Sequence, residues 1–136
     1  MAALLLLIAA LGATEPAVAP AAEPPTSAAL FDAAASCTAY HIYVAATATP
    51  QSDEARSAED KATMFLLAAY ARMPDEDRGA AEARIDGNVK GLFEDSASVA
   101  PEQHGKEMAE LKQVCAEFEP AATAIAEQAA ASPKPE

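Results

Sequence analysis

Alanine fills 38 of the 136 positions of this chain, and that one preference restricts the possible folds more than any motif does. Ala has the best helix propensity of the ordinary residues and loses no side-chain entropy on folding. A sheet of comparable size would draw on β-branched and aromatic side chains, whereas here Trp is absent and aromatic residues make up only 5% of the chain. Alanine-rich helices approach one another closely and share thin contacts. The expectation is therefore one all-α domain with a modest core, because the length suits one domain and not two.

The segment Ala2–Ala13 (AALLLLIAALGA) is apolar and uncharged. It is too short for a bilayer span, which takes about twenty residues, and has the length of a signal-peptide core. Residues 1–13 are read as a signal peptide cut near Gly12 or Ala13. The alternative site after Ala19 is followed by Pro20, which opposes cleavage. No Lys or Arg precedes the apolar run, which departs from the usual pattern. Residues 14–26 hold Pro16, Pro20, Pro24 and Pro25 and read as a disordered Pro/Ala-rich tail. No cysteine follows the leader to carry a lipid anchor. The expected location is the periplasm or the exterior, with no membrane insertion after the leader is removed.

Residues 27–131 are predicted to form a helical domain and 132–136 a disordered tail. The first helix starts near Ser27 and runs to about Thr47, with Leu30, Ala34, Cys37, His41 and Val44 on one face and Phe31, Thr38 and Ile42 widening it. A turn at Pro50 leads to a second helix, begun by Ser52, Asp53 or Ser57 with Asp60 as a capping partner. Its stripe is Ala58, Ala62, Phe65, Leu66 and Ala69, and Pro74 ends it after Met73. Asp75, Glu76 and Asp77 suit the first turn of a third helix, in which Ala81, Ile85, Val89, Leu92 and Phe93 face inward. Gly87 and Gly91 each weaken that helix by about 1 kcal/mol. After a loop over 95–100, Pro101 opens a fourth helix, whose stripe is His104, Met108, Leu111, Cys115 and Phe118, continuing to Ala122 and Ile125. Pro120 is expected to kink or break it.

Four helices of about twenty residues with short connections favour an up-down-up-down bundle. The first and last helices are then antiparallel neighbours, with Cys37 and Cys115 near their midpoints, each on an apolar face. An exported chain with two cysteines folds in an oxidising compartment, where pairing is the default. A Cys37–Cys115 disulfide closes a loop of roughly 79 residues, for which chain entropy gives up to about 4.5 kcal/mol.

A competing use of the same residues is metal binding. Cys37 and His41 share a helical face, and with Cys115 they would supply three zinc ligands if the thiols were reduced. The antiparallel register sets His41 opposite Leu111 and leaves His104 about 10 Å away along the axis. His104 and Met108, four apart, form a possible copper pair. His41, His104 and Met108 are thus minor metal candidates. The simpler reading makes His41 an interfacial histidine and Met64, Met73 and Met108 gap-filling core residues. No cofactor is expected. Hydrolase, nucleotide-binding and zinc-protease motifs are missing from the sequence, so an enzyme is not expected.

The formal charge of −12 opposes binding to nucleic acid and to anionic membranes, while a protein partner stays possible. Near pH 2, with carboxylates neutral, nine Lys and Arg and two His carry the chain to about +11. Ser36-Cys37-Thr38-Ala39-Tyr40 and Val114-Cys115-Ala116, with the leader and the Pro/Ala tail, resemble small exported two-cysteine helical proteins of proteobacteria without assigned activity. Acid chaperones of the HdeA type are also small, helical and single-disulfide, with cysteines closer together. Val99-Ala100-Pro101-Glu102-Gln103 looks like one imperfect copy of the L-T-x-x-Q motif of Spy/CpxP-type proteins, whose second copy is missing here. The expectation is a non-enzymatic periplasmic protein with a chaperone-like or envelope-stress role, because self-repulsion on that charge reversal would loosen a bundle with so thin a core and expose its apolar stripes. The alternative expectation is a carrier of a small ligand or metal ion in the bundle interior.

Overall fold

The computed structural model describes residues 27–71 and 78–131. The leader, the Pro/Ala tail, the C-terminal tail, the expected helix end at Met73 and the acidic helix start at Asp75–Asp77 lie outside the described residues. Four helices account for nearly everything else: α1 (Ser27–Thr47), α2 (Asp53–Ala71), α3 (Arg78–Ser98) and α4 (Pro101–Ala131). The described residues contain no strand.

The turn from α1 to α2 is closed locally. The Ala48 amide donates to the Val44 carbonyl and the Ser52 amide to the Thr49 carbonyl. Gln51 takes the left-handed conformation (φ 63°), which is uncommon for a side chain other than Gly, Asn or Asp. Of the possible starts for α2, the structure uses Ser52: its Oγ accepts from the Ala55 amide at 3.1 Å, which satisfies one of the orphan donors of a first turn.

Chain direction alternates along the sequence, giving an up-down-up-down four-helix bundle. Asp32 meets Arg84 and Tyr43 meets Phe93, so α1 and α3 run parallel. Tyr43 meets His104 and Cys37 meets Cys115, so α1 and α4 run antiparallel. The disulfide forms between α1 and α4 as expected, with the two Cα atoms 5.5 Å apart and both cysteines buried.

Helix α1 is the central element. It packs most extensively on α2, then on α3, and along a narrower strip on α4, while α4 lies chiefly on α2. Contacts of α3 with α2 and α4 are sparse. This layout explains why α1 is covered nearly all round: Ala34, Ala35, Cys37, Thr38, Ala39 and Tyr40 are all buried, so its inner surface is much wider than one stripe. Thr38 sits in this interior by donating its hydroxyl to the Ala34 carbonyl at 2.7 Å, which removes the cost of an unpaired buried oxygen.

Among the described residues, eleven of the eighteen buried apolar ones are alanine, and Phe65 is the largest side chain fully out of solvent. Its ring lies between those of His41 (5.4 Å, interplanar 10°) and Phe118 (6.0 Å, 17°), linking α1, α2 and α4.

Four expectations need correcting. Helix α4 does not break at Pro120 but runs on to Ala131. Proline deletes the amide that would serve the Ala116 carbonyl, but Ala116 and Pro120 are both exposed, and buried Cys115, Ala122 and Ile125 anchor the helix on either side. The loop expected over 95–100 shrinks to Val99 and Ala100, because α3 continues to Ser98. There the hydroxyls of Ser96 and Ser98 donate to the carbonyls of Phe93 and Glu94 at 2.8 Å, and the Val99 amide closes on Asp95. Phe93 and Ile42, both expected to face the core, are 41% and 37% exposed. Phe93 lies near the C-terminal end of α3, where Tyr43 covers one side of its ring.

Candidate functional site

A cleft of about 290 Å³ opens where α1, α2 and α4 converge. Helix α1 contributes Tyr40, His41 and Val44; α2 contributes Glu54, Ser57, Ala58 and Lys61; α4 contributes Lys112, Ala116 and Glu119. Each set follows helical spacing, so the site depends on three registers at once. The α1–α2 turn sets the first two, and the disulfide sets the third by fixing Cys115 between Lys112 and Glu119 on α4.

Lys61 Nζ and Glu119 Oε2 face each other across the cleft at 3.6 Å. Both are well exposed, so the pair adds little to stability. Lys112 and Glu54 make no ion pair within the described chain. The Tyr40 hydroxyl has no protein hydrogen-bond partner, although the residue is only 7% exposed. Burial, with Glu54 nearby, raises the pKa of Tyr40 above its ordinary value, so it remains a neutral donor. His41 is pushed the other way: burial and then Lys61 disfavour its imidazolium, with Glu119 opposing them. It presents a neutral ring at pH 7.

The sequence-predicted site residues fall in different places. Cys37 and Cys115 are bonded to each other, so neither sulfur is a free thiolate for a metal. His41 turns toward α2 and stacks on Phe65. Leu111, expected opposite it, lines a different groove beside Ser36, Ala39 and Leu92. His104, in the first turns of α4, shares a hydrogen bond of 3.2 Å between its Nε2 and the Tyr43 hydroxyl. Met108 and Met64 pack against the core as fillers, whereas Met73 lies outside the described residues. Among the described residues no group of three His, Cys, Asp or Glu side chains is placed to hold a metal ion.

Of the cleft residues, sequence reasoning singled out only His41. Ser57 reads only as a possible start of α2, and Glu54, Lys61, Lys112 and Glu119 carry no signal of their own in the sequence. Three of the helices must be placed before these residues can be seen to converge.

Fold and site together define a disulfide-stapled, all-α four-helix bundle with a lateral polar cleft between α1, α2 and α4. No protein-family model, curated protein or solved structure matches this chain. No helix among the described residues is long and apolar enough to cross a membrane.

Proposed function

We propose that this is a non-enzymatic protein of the periplasm with chaperone-like activity in acid. The observation that carries the reading is the core, in which, among the described residues, alanines outnumber all other buried apolar residues together. Each alanine buries little area, and hydrophobic stabilisation scales with area. Against that thin core stand 21 Asp and Glu, and protonating them swings the molecule from −12 toward about +11. Self-repulsion of that size loosens the bundle and frees its apolar stripes to hold unfolding clients. The Cys37–Cys115 bond keeps α1 and α4 tethered while the rest opens. The same bond supports an oxidising compartment, and the apolar leader points to export.

The test is aggregation of an acid-labile client at about pH 2.5, with and without the full chain. Suppression at acid pH that disappears on return to neutrality is expected. Unchanged client aggregation in acid would reject the chaperone reading.

The cleft favours a second reading, a small-ligand carrier. Phe65 occupies the interior, so a ligand would sit in the lateral cleft and not along the bundle axis. Native mass spectrometry of protein taken from its own compartment is expected to show an added mass lost on desolvation, whereas the bare polypeptide mass alone would count against a carrier.

A further inference from the structure

The cleft is unusual for this molecule in its charge. Across the chain Asp and Glu outnumber Lys and Arg by 21 to 9, yet the cleft holds two of each sign. Lys61 and Glu119 engage each other. Glu54, in the first turn of α2, and Lys112, on α4, are left unpaired on different walls. The Tyr40 and Ser57 hydroxyls and the apolar side chains of Val44, Ala58 and Ala116 line the same cleft.

Three ligand classes are disfavoured by this arrangement. A simple anion is repelled by the net charge of −12. A simple cation must lie against Lys61 and Lys112. A neutral apolar molecule would strip water from two unpaired charges and return nothing to them. We infer that the cleft binds a small zwitterion, an amino acid or dipeptide, with its ammonium at Glu54 and its carboxylate at Lys112. Tyr40 and Ser57 supply hydroxyls to the ligand, and the apolar residues take a short side chain. A volume of about 290 Å³ equals roughly ten waters of liquid, which suits a ligand of that size. This inference rests on the carrier reading and gives it a ligand class.

The test uses isothermal titration of the full, disulfide-intact chain at pH 7 and low salt with alanyl-leucine. Its N-acetyl form, its C-terminal amide and the doubly blocked form are titrated in parallel. The free dipeptide is expected to bind at least about tenfold more tightly than any blocked form. Glu54→Gln should abolish the preference over the N-acetyl form, and Lys112→Gln the preference over the amide. Both side chains are exposed, so the variants fold, as circular dichroism will verify. If a blocked form binds as well as the free dipeptide, or if either substitution leaves the preferences intact, the zwitterion assignment is wrong although a carrier survives. If none of the four binds, the assignment also falls, and mass spectrometry of the native protein then decides the carrier reading separately.

Discussion

The Phe65 ring, held between His41 and Phe118, shows how much depends on single side chains when most buried positions are alanine. Phe65→Ala is expected to cost about 3 to 5 kcal/mol, most of the stability of a marginal domain, and a urea titration would show the lost midpoint. His41 gives a pH signature. Burial, then Lys61, lower its pKa below the ordinary 6.5, so the folded state prefers the neutral ring. Its stabilising effect is complete above pH 6.5. It is lost as pH falls toward the folded pKa, because the unfolded chain takes up the proton first. His41→Gln is therefore expected to flatten the decline in urea midpoint between about pH 6.5 and 5. An equal slope in both proteins would show that His41 does not titrate differently on folding.

Among the elements, α1 and α4 were the most legible. Leu30, Ala34, Cys37 and Val44 recur at helical spacing, as do Met108, Leu111, Cys115 and Phe118, and all of them pack in or against the core. What spacing did not reveal is that α1 is wrapped by three partners, so that Ala35, Ala39 and Tyr40 are buried as well. Its lack of charge after Asp32 was the available sign. The overlooked end of α3 has a different origin: Ser96 and Ser98 bond back to helix carbonyls and extend a helix that their propensities alone would have ended. That helix also contains a direct test of propensity. A Cβ at Gly87 or Gly91 meets nothing within 4 Å, so each Gly→Ala change is expected to stabilise by about 0.5 to 1 kcal/mol, read as a raised Tm. Lower stability in either variant would mean that the open space is filled in solution.

For the molecule as a whole, the two cysteines made the topology readable, because a bond between the midpoints of the first and last helices leaves few arrangements for the middle two. The cleft stayed invisible, because Glu54, Lys61, Lys112 and Glu119 are far apart in sequence and ordinary one by one. Replacing both cysteines with alanine is expected to lower stability by up to about 4.5 kcal/mol, a loss that chemical denaturation in the absence of reductant would record. A variant as stable as the parent would show that helix packing alone holds the register. The bond has one further effect. It closes a covalent ring around the whole of α2 and α3. A protease that cuts once anywhere inside that ring opens it without releasing a fragment. Nicked molecules therefore keep every residue, gain only the water of hydrolysis, and migrate as one band until a reductant separates the two pieces.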